Sequence, residues 1–135
     1  MIEASIDIGT NTVLLLVADV TISNGQRRIS KVIYDAQKMV RLGQGVNQNR
    51  TFLPEAMERT FTALKEYAEI AEKEGVAPER IKAVATSASR DAKNSGEFYS
   101  RIQKELGIKV QIISGENEAK ASFLGGLVDS INAED

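Results

Sequence analysis

The first seventeen residues contain the feature that most constrains the fold, which is a pair of apolar runs separated by a short polar turn. Ile6 and Ile8 end the first run, and residues 13–17 (VLLLV) form the second. Aliphatic runs of this length predict β-strands, and the second run is apolar on both faces, as is typical of a buried strand. Because only residues 9–12 (GTNT) separate the runs, we expect an antiparallel hairpin within a sheet.

The polar turn combines residue types that suit phosphate binding. Gly9 lets a ligand approach the backbone closely, and Thr10, Asn11 and Thr12 add short hydrogen-bonding side chains. Asp7 places a carboxylate at the end of the first strand. A turn of this kind can hold phosphate together with a hydrated cation. The same residues are common in ordinary polar turns, so the turn by itself leaves both interpretations open.

Composition narrows the function classes. With 135 residues and a 42% hydrophobic share, the chain has the material for one soluble domain with its own core. It contains no cysteine and no histidine, which excludes disulfides, thiol nucleophiles, Ser-His-Asp catalysis and Cys- or His-ligated zinc. A net charge of −2 does not suggest a nucleic-acid binder. No apolar run approaches the ~20 residues of a membrane span and no signal peptide is evident, so we expect a cytoplasmic protein.

Beyond the hairpin, the pattern predicts a third strand and then alternating helices and strands. Residues 29–34 form the third strand, antiparallel to the second, and residues 43–49 form a polar loop with two glycines. Pro54 and Gly75 suit the start and end of a helix. The apolar stripe of that helix is expected at Met57, Phe61, Leu64, Ala68 and Ala71. The remaining elements are a strand at 81–86, a helix ending at Leu106, a strand at 110–113 and a last helix whose apolar residues lie between 119 and 131.

This order predicts an α/β fold with a five-stranded mixed sheet, strand order 3-2-1-4-5, and helices on both faces. In that order the turns at residues 7–12, 87–90 and 114–118 meet at the carboxyl ends of neighbouring strands. Open α/β sheets bind ligands at that edge. The convergence of polar turns favours a phosphate site over an ordinary hairpin turn.

Two arginines are candidate phosphate contacts. Arg90 follows the fourth strand beside a helix start, where a guanidinium is well placed for phosphate. Its neighbours Ser89 and Asp91 are interpreted more simply as helix caps. Arg41 lies between apolar residues and is the best candidate in a basic cluster that is otherwise interpreted as a solvated strand face. That cluster comprises Arg27, Arg28, Lys31, Lys38 and Arg41.

Four segments together resemble the exopolyphosphatase and guanosine pentaphosphate phosphohydrolase (Ppx/GppA) family, in matching order and spacing over essentially the whole chain. They are residues 6–17, 40–45 (VRLGQG), 85–92 (ATSASRDA) and 113–119 (ISGENEA). The first segment is shared with kinases of the actin, sugar-kinase and Hsp70 superfamily, whereas the other three are specific to the phosphatase family. The resemblance implies the ribonuclease H-like fold of the actin-like ATPase superfamily.

The resemblance also implies roles for individual residues. Glu118 matches the glutamate that activates the attacking water, and Arg90 matches an arginine that contacts phosphate at the catalytic centre. Gly9, Thr10, Asn11 and Thr12 match the phosphate loop, and Ser87 and Arg41 are expected as further phosphate contacts. Asp7 and Glu118 are expected to hold a divalent cation, with Mg²⁺ as the expected cofactor.

The implied reaction is hydrolysis of a terminal phosphoanhydride of inorganic polyphosphate or of guanosine penta- or tetraphosphate. Asn117 departs from the run of acids found in many relatives but leaves Glu118 in place. The family's second lobe, which opens with another glycine-rich phosphate loop, has no counterpart in these residues. We therefore expect residues 1–135 to be a single N-terminal lobe that has little activity alone. The residues do not determine the oligomeric state, and a homodimer is the form considered for the full-length protein.

Two other functions remain open at the level of sequence. One is the lobe of an ATP-dependent kinase that modifies a small molecule. The other is a non-catalytic regulator that binds guanosine polyphosphates. The residues do not separate polyphosphate from guanosine pentaphosphate as the substrate, because that choice is expected to depend largely on the second lobe.

Overall fold

The computed structural model describes residues 1–113, except for the side chain of Ser87. The strands within this range are β1 (Ile2–Ile8), β2 (Thr12–Ser23), β3 (Gln26–Met39), β4 (Lys82–Ala85) and β5 (Val110–Ile112). The helices are α1 (Val46–Asn49), α2 (Pro54–Lys73), α3 (Ser87–Asp91) and α4 (Ser95–Leu106), with a 3-10 turn at Pro78–Arg80.

The sheet has the predicted order, β3-β2-β1-β4-β5. β2 pairs antiparallel with both β1 and β3, whereas β4 is parallel to β1 and to β5. Ile8 lies beside Val13 on one side and Ala85 on the other, and Thr12 lies beside Met39. The carboxyl ends of β1, β4 and β5 therefore meet at one edge of the sheet, as predicted, and the end of β3 lies at the same edge.

One face of the central strands forms the floor of the core. Ile6, Ile8, Val13 and Leu15 on this face are fully buried in a single cluster with side chains from α2 and α4. Full burial of an aliphatic side chain of this size contributes about 1.5–3 kcal/mol. The last predicted helix, on which the prediction for the other face depended, lies outside the described residues.

Helix α2 begins and ends close to the predicted positions, and Leu64, Ala68 and Ala71 of the predicted stripe are buried. Met57 and Phe61 are only partly buried. The other buried residues of α2 are mostly small, which allows the helix to approach the sheet closely. The Phe61 ring instead packs against Arg101, and the guanidinium carbon lies 4.4 Å from the ring centroid. The buried residues of α2 are Ala56, Thr60, Ala63, Leu64, Tyr67, Ala68 and Ala71.

Two local predictions were wrong. Residues 43–49 were expected to be loop throughout, yet α1 forms one helical turn around the buried Val46. The third strand continues to Met39 instead of ending at Tyr34, because β2 offers it a pairing edge along its whole length, with bulges near Ala18. This extension carries the chain directly to the edge of the sheet where the polar turns lie. No helix in the described range is long and apolar enough to cross a membrane.

Candidate functional site

The β1–β2 turn (residues 9–11) is fixed by backbone hydrogen bonds. The Gly9 N–H donates to the Thr12 carbonyl at 2.9 Å, and the Asn11 carbonyl accepts from the N–H groups of Val40 and Arg41 at 2.8 and 2.9 Å. The N–H groups of Thr10 and Asn11 have no acceptor within residues 1–113. Two adjacent backbone donors therefore remain available in an exposed, rigidly held turn, and such donors can bind an anion.

Gly43 joins this turn to helix α3. Its N–H donates to the Thr10 carbonyl at 2.8 Å. A Cβ atom at Gly43 would lie 2.4 Å from Thr10 Cγ2 and 3.3 Å from Ala88 Cβ, so only glycine fits between the two elements. The Thr86 N–H also donates to the Ile8 carbonyl at 3.2 Å. The structure thus brings together the first two of the polar turns that the sequence placed at this edge.

Arg90 lies in the last turn of α3, with an exposed side chain. This side chain has no hydrogen bond or ion pair to any described residue, so its guanidinium can bind an anion. The backbone beneath it is anchored, because the Ser89 N–H donates to the Thr86 carbonyl at 2.8 Å. Ser87 is the first residue of this short helix.

The Ser89 side chain attaches α3 to α4 in the core instead of capping a helix. Its hydroxyl forms a 2.7 Å hydrogen bond with the Tyr99 hydroxyl of α4, and both side chains are buried. Neither α3 nor α4 has a side-chain cap, so the expectation that Ser89 or Asp91 would cap a helix was wrong. The reason is that a buried hydroxyl needs a partner, and Tyr99 provides one within the core.

Asn94 is a second anchor that the sequence did not reveal. Its side chain accepts from the Phe52 N–H at 2.8 Å and donates to the Phe52 carbonyl at 3.2 Å. The Lys93 N–H donates to the Arg50 carbonyl nearby at 2.8 Å. These bonds attach the segment between α1 and α2 to the end of α3. The residues around Asn94 carry no sequence pattern that indicates this long-range role.

Arg41 occupies a left-handed backbone conformation, with φ of 52°, which is uncommon for a residue with a Cβ atom. Its own N–H is bonded to the turn, and its side chain is exposed. Arg59 of α2 holds the segment in place, with Nε donating to the Val40 carbonyl at 2.7 Å and Nη2 to Gln44 Oε1 at 2.8 Å. Within a predicted helix, Arg59 carried no sequence signal for this contact.

Asp7 is the candidate cation ligand within the described range. Its Oδ1 atom is buried and has no hydrogen-bond partner there. Burial raises the pKa of the Asp7 carboxyl above its ordinary value of 3.8. An unpartnered buried carboxylate oxygen is costly unless a cation or further donors compensate it, and one or two carboxylates with substrate phosphates and water are typical ligands of Mg²⁺. Asp7 therefore fits a magnesium ligand.

Residues 1–113 contain no cluster of three or more acidic side chains that could hold a metal alone. The second expected ligand, Glu118, lies outside the described residues, together with the turn at 114–118. The expected position of Glu118 beside Asp7 and Arg90 therefore remains a prediction.

Comparison with known proteins agrees with this arrangement. A model of the Ppx/GppA phosphatase family matches residues 20–134. Exopolyphosphatase 2 of Mycobacterium tuberculosis is 40% identical over 129 residues, which cover 92% of this chain and 40% of the relative. A bifunctional 3-dehydroquinate synthase/phosphatase of Fusobacterium nucleatum is 41% identical over 124 residues, covering 92% of this chain and 19% of the relative. The chain thus spans less than half the length of these relatives.

Solved structures give the same result at the level of the fold. The Ppx/GppA family member of Aquifex aeolicus has a TM-score of 0.75 at 36% identity, covering 87% of this chain and 36% of the other. An exopolyphosphatase from Cytophaga hutchinsonii has a TM-score of 0.74 at 32% identity, covering 89% and 36% respectively. The fold is therefore the actin-like ATPase fold expected from the sequence. With the family model matching residues 20–134, the chain belongs to the Ppx/GppA phosphatase family.

Proposed function

We propose that this chain is the N-terminal lobe of a two-lobed phosphatase that hydrolyses the terminal phosphoanhydride of inorganic polyphosphate. The observation that carries the proposal is the meeting, at one sheet edge, of backbone donors in the β1–β2 turn and a buried carboxylate oxygen of Asp7, none of which has a partner within residues 1–113. Arg90, on α3 directly after the adjacent strand β4, adds a guanidinium that has no partner within residues 1–113. The similarity to exopolyphosphatase 2 of Mycobacterium tuberculosis supports this substrate class.

In this proposal the described residues bind and orient the terminal phosphate. The N–H groups of Thr10 and Asn11 donate to its oxygens, and Thr12 and Ser87 are proposed as further contacts. The Ser87 side chain lies outside the described part of the structure, so its role stays a prediction. Arg90 offsets the negative charge from the β4 side. Donors fixed before the substrate arrives need no reorganisation during the reaction, which is the main source of electrostatic stabilisation at such sites.

Asp7 and Glu118 would hold Mg²⁺, which when bound neutralises charge that develops on the phosphate oxygens. Glu118 would orient the attacking water and accept its proton. General-base assistance of this kind is typically worth about 10²–10⁴ in rate. We further propose that the protein acts in the cytoplasm and that the full-length form is a homodimer.

Replacement of Glu118 by glutamine in the two-lobed protein tests the mechanism. We expect turnover of polyphosphate to fall by about 10²–10⁴ while substrate binding is retained. Glu116→Gln is the matched control, because it removes a carboxylate two positions away in the same segment. Equal losses in the two variants, or near-normal turnover in Glu118→Gln, would remove Glu118 from the proposed role.

Guanosine pentaphosphate offers the same terminal phosphoanhydride, and we propose it as the alternative substrate. Phosphate release from both compounds, measured with the two-lobed protein and Mg²⁺, separates the two. If neither compound releases phosphate but guanosine polyphosphates raise the melting temperature, the protein would be a non-catalytic regulator instead. If ATP raises the melting temperature, it would be the lobe of an ATP-dependent kinase.

The 135-residue chain provides a further test. We expect it to bind short polyphosphates weakly and to release little phosphate, because the opposite wall of the site is supplied by the second lobe and an open site leaves water in competition. Rapid turnover by this chain alone would contradict the two-lobed proposal.

A further inference from the structure

A groove of about 360 Å³ lies beside the β1–β2 turn, at the end of β3. The described residues that line it are Met39, Arg41, Gln44 and Arg59, so this part of the lining has two guanidinium groups and no acid. Met39 is the register partner of Thr12, and the Arg41 N–H is bonded to the Asn11 carbonyl. The groove therefore starts where the turn ends.

The charge of the groove is not cancelled by the acids near it. Glu58 and Glu66 line an adjoining pocket, but Glu58 is 3.0 Å from the Arg101 guanidinium and Glu66 is paired with Lys38. Arg41 has no ion-pair partner anywhere in residues 1–113. The groove thus presents net positive charge beside a turn that already offers two backbone donors.

The two arginines of the groove are held differently. Arg59 uses Nε and Nη2 to bind the segment at residues 40–44, and its Nη1 has no partner within the described range. Arg41 is anchored through its backbone, and its exposed side chain makes no hydrogen bond or ion pair within residues 1–113. One guanidinium held by the protein and one without a described partner suit a ligand with several anionic groups, because the second can pair with an additional phosphate.

Strand order places this groove on the β3 side of the turn and Arg90 on the β4 side. We propose that the groove is a second anion subsite, which binds the polyphosphate chain beyond the phosphate group that is cleaved. The terminal phosphate lies at the turn beside Arg90, and phosphates further along the chain lie against Arg41 and Arg59. This inference rests on the proposed function, because it assumes that polyphosphate is the ligand.

Dependence of affinity on chain length tests the subsite. Binding of tripolyphosphate and of long-chain polyphosphate to the 135-residue protein is measured by calorimetry, at equal concentrations of chain ends. We expect the Arg41→Gln variant to bind the long chain about five- to tenfold more weakly, which is the effect of losing about 1–1.4 kcal/mol. Its affinity for tripolyphosphate should change by less than about twofold, since this short ligand reaches only the start of the groove.

Two controls separate charge from structure. Arg41→Lys has the same left-handed backbone demand as Arg41→Gln but keeps the charge, so it should retain most of the long-chain affinity. Arg80→Gln makes the same charge change at the 3-10 turn that precedes β4, at the opposite end of that strand. It should bind both ligands as the unmodified protein does.

The outcomes are distinguishable from failure of the proposed function. No binding of either polyphosphate by the unmodified protein would overturn both proposals. Binding that is independent of length, or equal losses in Arg41→Gln and Arg80→Gln, would overturn the subsite alone. Equal weakening of both ligands by Arg41→Gln would place Arg41 at the terminal phosphate instead, which also contradicts the subsite.

Discussion

Two polar turns close the hairpins at opposite ends of β2, and they differ in their surroundings more than in their composition. The β1–β2 turn contains Gly9 and Asn11, and the β2–β3 turn contains Asn24 and Gly25. The first turn is bonded to residues 40–43 and packed against Gly43. In the second, both central residues have positive φ and a Cβ atom at Gly25 would touch nothing within 4 Å.

The comparison teaches that turn chemistry alone does not make a binding site. Asn24 and Gly25 have the backbone of the favoured two-residue hairpin turn, and they reverse the chain between β2 and β3. The β1–β2 turn lies where β3 and β4 also end, so other segments fix its carbonyls and leave two N–H groups without a described partner. We infer that the segments packed against a turn determine whether the turn can bind a ligand.

Of the variants considered, Gly43→Ala should have the largest effect on stability and on ligand binding at the β1–β2 turn. The new methyl group would have to displace the branched side chain of Thr10, which is 2.4 Å from the Cβ position. Overpacking of this kind typically costs about 1–3 kcal/mol, and we expect it in the free energy of unfolding measured with urea. Binding of tripolyphosphate should also weaken, because Thr10 belongs to the turn that contacts the ligand.

Gly96→Ala is the matched control for that variant. Gly96 lies in α4, and a Cβ atom there would meet nothing within 4 Å, so alanine should be tolerated or stabilising. If Gly43→Ala left both stability and binding unchanged, the close packing between the turn and α3 would not matter to the site.

Tyr67→Phe removes a buried hydrogen bond between helix α2 and the β1–β2 hairpin, and should lower stability. The Tyr67 hydroxyl donates to the Val13 carbonyl at 2.9 Å, and burial, with Tyr34 nearby, raises the pKa of Tyr67 to about 12, so it remains protonated at neutral pH. Loss of the bond should cost about 1.5 kcal/mol in urea unfolding. Tyr34→Phe is the control, because that ring is exposed on β3; an equal cost in both variants would contradict the assignment.

Gly25→Ala tests whether the β2–β3 turn affects stability without affecting ligand binding. Its φ of 78° is unfavourable for alanine, so we expect a loss of about 1 kcal/mol in unfolding free energy. Polyphosphate binding should not change, because this turn lies at the opposite end of β2. A change in affinity comparable with that of Gly43→Ala would break the distinction between the turns.

For Asp7→Asn we predict the sign of a pH-dependent change in stability. The pKa of the folded-state carboxyl is raised by burial, so the folded protein binds the proton more tightly than the unfolded chain does. The cost of the buried charge is therefore fully present at neutral pH and is relieved as pH falls through the folded pKa towards 3.8. The asparagine variant should be more stable than the unmodified protein at pH 7, with the advantage shrinking in acid.

Urea unfolding at several pH values measures that difference. Asp35→Asn is the control, since Asp35 is exposed on β3. An Asp7→Asn variant that was less stable at pH 7 would show that partners already compensate the carboxylate. With Mg²⁺ added, the melting temperature of the unmodified protein should rise more than that of the variant, because only the former keeps the proposed ligand.

Much of the fold was predictable because short-range patterns and sheet rules determine it. The hairpin from Ile6 to Val17, the helix starting at Pro54 and the strand order all follow from apolar periodicity and the handedness of crossovers. The meeting of the turns near Gly9 and Arg90 followed from strand order alone. The roles assigned to these residues remain predictions.

The contacts that position the site were not predictable, because they are long-range and use ordinary residues. Arg59 binds a loop 15–19 positions earlier in the chain, and Asn94 binds Phe52 across 42 positions. Ser89 was interpreted as a cap because local chemistry favours that role, whereas its partner Tyr99 lies on another helix. Side chains that fold back onto distant backbone leave no periodic pattern in the sequence.

The most direct test of the account is an amide NMR titration of the 135-residue protein with tripolyphosphate and Mg²⁺. The account predicts saturable shifts at the backbone amides of Thr10, Asn11, Gly43 and Arg90, and unchanged amides at Asn24 and Gly25. Equal shifts at both turns, or no saturable shift at Thr10 and Asn11, would contradict the claim that the β1–β2 turn is a phosphate site.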